Sequence, residues 1–326
     1  MKGFNAVVRV VAVGVLVGFA GSVAAQQPYP YKPVRYVVAF APGDAPDILA
    51  RLVGDRLSRM WGRQVLVENR VGAGGTIAGA YAAKAPPDGY TLFHCSIASN
   101  AIGAALYTNL SYDGVRDFAP VSLIGKTGNI LIVHPSFSAT TVGEFVAYAR
   151  ANPGKLSYGS GGVGGSTHLT MELFKSIARI DVVHIPYKGA SPALADVIGG
   201  QIPSMVANIP TVLAAVQSGK VRALVVTGPR RVPQLSSVPT MIESGFPGFE
   251  VTAWFGLCAP AGTPSAILDK LHADLMTVLQ LPDLLQRFGE IMVDPAPQSR
   301  DEFAAFMRAE TTRWARVVKD AGIPSQ

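Results

Sequence analysis

The sequence predicts an α/β chain folded as two doubly wound lobes around a hinged cleft. Three observations carry that prediction. Short apolar strands alternate with amphipathic helices from Val34 onward; the 326 residues exceed the size at which one core stops growing, roughly 250–300; and the last 75 or so residues hold too little strand to fold alone.

The elements follow in order. Strand Val34–Phe40 leads through a Pro/Gly turn into helix Asp47–Trp61, where Leu49, Leu52, Val53 and Leu57 recur at helical spacing, Arg51, Arg56 and Arg59 face away, and Asp47 is an acidic N-cap candidate. Strand Gln64–Glu68, a glycine loop, helix Thr76–Ala83 and strand Tyr90–Cys95 continue the alternation. It resumes with strands Phe118–Gly125 and Asn129–His134, helix Thr141–Ala151, strand Lys155–Tyr158, a glycine cluster, helix Thr167–Ala178, strand Val182–Ile185, helix Pro192–Ile198, and strands near Pro203–Ala207 and Val221–Thr227. Strand Thr252–Ala259 and helices Pro264–Leu279, Pro282–Phe288 and Asp301–Asp320 close the chain. They are expected to return to the first lobe, giving residues 26–125 plus 250–326 in one lobe and 126–249 in the other.

Composition narrows the function classes. Hydrophobic residues make up 49% and charged residues 15%, which excludes disorder. The net charge of +6 is dispersed, with no Lys/Arg run of the kind phosphate backbones demand, so no nucleic-acid partner is expected. At the amino terminus, Lys2 and Arg9 precede the apolar stretch Val10–Ala20, and Val23-Ala24-Ala25 offers small side chains for cleavage after Ala25. This reads as a secretory signal at residues 1–25, since 11 apolar residues fall short of the roughly 20 that span a bilayer. The exported product would hold 301 residues with a net charge of +4. Cys95 and Cys258 lie in strand-like apolar runs and are expected to be buried free thiols, one bridge being the alternative.

The motifs favour binding over catalysis. Gly159-Ser160-Gly161-Gly162-Val163-Gly164 satisfies the dinucleotide pattern between a strand and a helix, but Asp181 starts the next strand rather than ending it, and glycine loops before helices serve any anion. Ser160, Ser166, Thr167 and His168 invite a secreted serine hydrolase using Ser160 or Ser166 with His168, which stands as the alternative function. Yet the nucleophile-elbow pattern fails at its last glycine, and Ser166-Thr167 reads as a helix cap. His94, His134, His184 and His272 have no metal-ligand spacing, and no Gly-Lys pair has the upstream glycine of a phosphate loop, so neither metal nor cofactor is expected. The turns Pro42-Gly43-Asp44-Ala45-Pro46-Asp47 and Gly72-Ala73-Gly74-Gly75-Thr76 add two more backbone-rich loops able to converge on one ligand.

Taken together, Val67-Glu68-Asn69-Arg70-Val71-Gly72-Ala73-Gly74-Gly75, Pro87-Asp88-Gly89-Tyr90-Thr91-Leu92, Asp117-Phe118-Ala119-Pro120-Val121-Ser122, Asn152-Pro153-Gly154-Lys155-Leu156, Pro186-Tyr187-Lys188-Gly189 and Trp254-Phe255-Gly256-Leu257 with Ala259-Pro260-Ala261-Gly262-Thr263-Pro264 form a specific set. With them the chain, from Tyr29 to Ile323, resembles the substrate-binding receptors of tripartite tricarboxylate transporters, the Bug-type receptors. The resemblance implies a periplasmic receptor of the type II binding-protein fold that closes like a flytrap on a small carboxylated solute, catalyses nothing, acts as a monomer, and passes its ligand to membrane permease subunits or a sensor protein. It implies a carboxylate held by amides, hydroxyls and water. By matching motifs it places Phe40, Pro42, Gly43 and Asp47 on the first-lobe loop and Ser96 and Asn100 after the Tyr90 strand. Ser160, Gly161, Ser166, Thr167 and His168 fall on the second-lobe loop, with Asn208 facing them. The departures are Asp44, where the family usually has glycine, and Pro203 and Ala207, where it commonly has aspartates. An acid at Asp44 facing the ligand would repel a second carboxylate and favour a monocarboxylate or amide-bearing acid over citrate. Pointing away to cap a turn, it would carry no such preference.

Overall fold

The computed structural model describes residues 29–325. The expected signal segment and its cleavage site lie outside them. Among the described residues no helix is long and apolar enough to cross a membrane.

The first half opens with β1 (Val34–Val38), α1 (Ala45–Trp61), β2 (Val65–Asn69), α2 (Thr76–Ala83) and β3 (Thr91–Ser96). Helix α1 begins two residues before the expected Asp47, takes Pro46 in its first turn where a missing N–H costs nothing, and stops at Gly62, whose φ of 60° is left-handed. It buries Leu49, Ala50, Val53 and Leu57. After β3 the chain makes a π-turn at Ala98–Ile102 running into α3 (Gly103–Leu106), both without a counterpart in the sequence reading. Their small apolar residues carry no amphipathic period because most of the segment is buried.

Strand β4 (Phe118–Val133) is one 16-residue strand rather than the two that were expected. Lys126, Thr127 and Gly128 look like a break in sequence. In the fold they are paired in register with Trp254, Ala253 and Thr252 of β9 (Thr252–Pro260). Beyond Gly128 the same strand turns to other neighbours, so that Asn129–Val133 pair antiparallel with Asn208–Ser204 of β7 (Ser204–Asn208) and with β8 (Arg222–Val226). Around this second set lie α4 (Val142–Ala151), β5 (Ser157–Ser160), α5 (Ser166–Ala178), β6 (Val183–Pro186), α6 (Ala190–Ile198) and α7 (Ile209–Gln217). Helix α7 was missed because Ile209–Val216 is apolar nearly throughout, a pattern shared with buried strands.

The strand order β2-β1-β3-β9-β4-β7-β5-β6 therefore divides at β4 into two α/β lobes. The chain returns to the first through β9, α8 (Ser265–Leu279), α9 (Pro282–Glu290), the short β10 (Asp294–Pro295) on β4, and α10 (Arg300–Asp320). Ser299 and Glu302 form a reciprocal cap on α10. The indole N–H groups of Trp254 on β9 and Trp314 on α10 both donate to the buried Glu310 carboxylate, at 3.0 and 3.3 Å, which locks the returning helix onto the central strands.

Cys95 and Cys258 are bridged, which corrects the expectation of free thiols. They sit diagonally on neighbouring antiparallel strands, Cys95 opposite Gly256 and Cys258 opposite Phe93, with Cα atoms 5.9 Å apart, within reach of one bond. Sequence spacing does not reveal this, because 163 residues separate the two positions. The bridge is expected to contribute about 2–5 kcal/mol by restricting the unfolded chain. A Cys95→Ser, Cys258→Ser double variant should lower the urea midpoint accordingly, and an unchanged midpoint would contradict this account.

Candidate functional site

Loops at the carboxyl ends of β1, β3, β5 and β7 meet between the lobes around a narrow cavity of about 20 Å³. Of the positions expected in the site, Phe40, Asp44, Ser96, Gly161, Ser166, Thr167 and Asn208 line it. Pro42, Gly43, Asp47, Asn100, Ser160 and His168 do not, and all of these but Pro42 are engaged in hydrogen bonds that shape the loops.

In the first loop, Asp47 is buried and accepts from Gly43 N at 3.0 Å, from Asn69 Nδ2 at 2.8 Å and from Arg51 Nε at 2.9 Å. Burial alone would raise its pKa, but these donors outweigh it and hold the carboxyl below the ordinary range. Asn69 also donates to Phe40 O at 2.8 Å, so the Val67–Gly75 motif sets the loop that presents the Phe40 ring. Asn100 plays the same part after β3: its Oδ1 accepts from Ser96 N and Ser99 Oγ, while its Nδ2 donates to Gly114 O.

The second-lobe loop is held by two stacked histidines. Ser160 Oγ lies 2.6 Å from His184 Nε2 and accepts from Gly162 N at 3.1 Å. His168 Nδ1 accepts from Gly164 N at 3.2 Å, and its ring stacks on His184 with centroids 4.2 Å apart; Tyr158 covers the far face of the loop's histidine pair by stacking on His184. Burial first, and for His184 the neighbouring His168 next, push these imidazoles down to about 4 and about 3. Helix α5 starts at Ser166 behind Gly165, with no side chain capping it, so Ser166-Thr167 is not the cap the sequence suggested. Thr167 Oγ1 instead accepts from Gly161 N at 3.1 Å.

This geometry removes the hydrolase alternative. Ser166 Oγ is 3.5 Å from Asn208 Nδ2, and His168 is engaged with the Gly164 amide. Ser160 does meet a histidine, but it is fully buried away from the cavity, and its partner His184 packs against rings rather than an orienting carboxylate.

Asp44 neither hangs free beside the ligand space nor caps a local turn. Its carboxylate crosses the cleft to the start of α6, accepting from Ala190 N at 2.9 Å, Ser191 N at 2.7 Å and Ser191 Oγ at 2.6 Å. Desolvation raises its pKa, and the three donors oppose that rise. Alongside, Ala45 N donates to Thr211 Oγ1 at 2.9 Å, and Tyr107 Oη donates to Val163 O at 2.9 Å, so the lobes touch on both sides of the cavity. A side chain at Gly189, which has φ +122°, would collide with Ala41 and Asp44.

Six wall residues were not among the expected site positions: Pro46, Ile97, Ala98, Gly165, Ala190 and Phe255. Most are apolar and belong to no chemical motif. Phe255 and Ala190 lie in or beside runs that carried the resemblance, Trp254–Leu257 and Pro186–Gly189, which is the signal that could have found them.

Comparison with known proteins gives the same picture. The family model described as tripartite tricarboxylate transporter family receptor matches residues 49–323. Protein BugT of Bordetella pertussis is 33% identical over 313 residues, covering 95% of this chain and 96% of its own. A solved R. palustris protein with adipate is 36% identical with a TM-score of 0.88, covering 91% of this chain and 100% of that one. MatC from Rhodopseudomonas palustris with bound malate is 33% identical with a TM-score of 0.85, covering 89% and 100%. The chain belongs to the tripartite tricarboxylate transporter receptor family, and it is a periplasmic-type solute-binding protein rather than an enzyme.

Proposed function

We propose that this protein captures a small carboxylated organic solute in the cleft and delivers it to the membrane permease subunits of a tripartite tricarboxylate-type transporter, or presents it to a sensor protein. The observation that carries this is the start of α5. Gly165, Ser166 and Thr167 stand on the cavity wall at a helix N-terminus that no side chain caps, where free amides and the helix dipole attract an anion. The amides at the start of α5 and the Ser166 and Thr167 hydroxyls would hold the acid, braced from behind by Gly161 N on Thr167 and Asn208 on Ser166, with Ser96 opposite and Phe40 against the ligand body. Two related structures hold small carboxylic acids, adipate in one and malate in the other.

In this reading the two lobes divide near the expected boundaries at 125/126 and 249/250, hinged just beyond the first of these where β4 changes partners after Gly128 and on the return to β9, and the receptor acts as a monomer. The Cys95–Cys258 bridge supports maturation in an oxidising compartment, as export to the periplasm provides.

A thermal-shift and calorimetric screen of refolded protein against small mono-, di- and tricarboxylates should give a selective upward shift, equivalent to about 2.7 kcal/mol at 100 times the dissociation constant. Ser166→Ala should weaken binding about tenfold by removing one charge-assisted hydrogen bond. A screen in which no acid shifts the transition would refute the carboxylate reading.

The stacked histidines add a pH signature. Neutral in the fold and ordinary when unfolded, His168 and His184 let the unfolded chain bind more protons between about pH 6.5 and 4. Stability is therefore intact above pH 6.5 and falls on acidification, by up to about 1.4 kcal/mol per pH unit for each histidine. His184→Gln should flatten that decline in an unfolding series from pH 7 to 4.5; an equal slope in both proteins would contradict the assignment.

A further inference from the structure

We infer that Asp44 is a specificity-determining residue whose carboxylate fills, from within the protein, the seat a second ligand carboxylate would need, so that the receptor selects monocarboxylates with an uncharged, largely apolar body. The inference rests on the receptor reading above and names its substrate class.

Three helices of the second lobe start at residues on the cavity wall: α7 behind Asn208, where Pro210 takes one N–H out of the first turn, and α5 and α6. The last two have a glycine at the N-cap and no capping side chain of their own, Gly165 for α5 and Gly189 for α6. Gly161, between them, lies close to both: its amide donates to Thr167, and the position of an added Cβ would be 3.4 Å from Ala190 N. Two such helix starts side by side could hold the two ends of a dianion. Of the two glycine-led starts only that of α5 is open. The amides of Ala190 and Ser191 and the Ser191 hydroxyl are all taken by Asp44, which reaches them across 146 and 147 residues of sequence and is 2% exposed.

The occupancy is built in on both sides of the cleft. Asp44 precedes the first residue of α1, and Asp47 fixes the turn behind it through Gly43 N. On the far side, the bare Cα of Gly189 leaves room for the approach of Ala41 and the carboxylate. A ligand bringing a second carboxylate would have to displace Asp44 from three donors and then sit against its charge, two costs that act in the same direction. The rest of the wall offers no compensating cation: Phe40, Pro46, Ile97 and Phe255 are apolar, and neither lysine nor arginine lines the cavity. One anion seat and an apolar remainder match one carboxylate on an uncharged chain.

Occupancy, rather than repulsion by a free acid, makes a distinct prediction for substitution. Asp44→Gly should release the α6 amides as well as remove the charge, whereas Asp44→Asn should remove the charge while still filling the seat. The experiment is calorimetric titration of the refolded full-length mature protein and both variants with hexanoate and adipate, which share six carbons and differ by one carboxylate, and with butyrate and succinate as a shorter pair. Circular dichroism and unfolding midpoints check that each variant folds. Wild type should bind the monoacid of at least one pair tenfold or more tighter than its diacid. Asp44→Gly should reduce that ratio at least tenfold, and Asp44→Asn should reduce it less. A wild type that prefers the diacids overturns the inference and leaves the receptor reading standing, as does a ratio unchanged in a folded Asp44→Gly. If Asp44→Gly does not fold, the wild-type preference and a fall in the ratio for Asp44→Asn decide. Absence of binding by every acid in wild type and variants overturns both.

Discussion

The architecture depends on β4 belonging to two sheets at once. Its first part is a central strand of the first lobe, hydrogen-bonded to β9, and its last five residues are a central strand of the second, hydrogen-bonded to β7 and β8. A strand continuous through both cores cannot slide without breaking ladders on each side, and it changes partners after Gly128. The loops that line the cavity meet across it. Small residues at their tips, such as Gly74 packed against Val163 and Gly189 against Ala41, let backbone meet backbone when they do.

Within that frame neither lysine nor arginine stands on the cavity wall. Helix starts supply the positive potential, and neutral histidines stiffen the loop that presents one of them. Arginine is present nearby, but Arg51 is spent on Asp47, which shapes the first loop from behind.

The sequence was a good guide wherever local rules decide. Helix α2 falls at the expected residues, α1 and α10 within two residues of them, because their apolar spacing and ends are local. It failed where the deciding partner is far along the chain. The Cys95–Cys258 pairing follows from the antiparallel register of β3 and β9, which no spacing encodes. Ser160 engages His184 rather than His168 because β5 and β6 lie parallel and in register, with Ser160 beside Pro186 and His184 two residues back. Asp44 could be recognised as unusual from its motif, but its partner Ser191 lies in the opposite lobe. The glycine-loop motifs located the cavity. They could not tell residues that face it, such as Ser166, from those that brace it, such as Asn100 and Ser160.

The disulfide has a topological consequence. It ties β3 to β9, so the whole second lobe is contained in one covalent ring that begins and ends in the first. A protease that nicks an exposed turn of that lobe opens the ring without separating the pieces, and the cut chain stays one molecule until the bridge is reduced. In a compartment rich in proteases and poor in reductants, a receptor wired this way survives a single cut with its two halves still held at the same cleft.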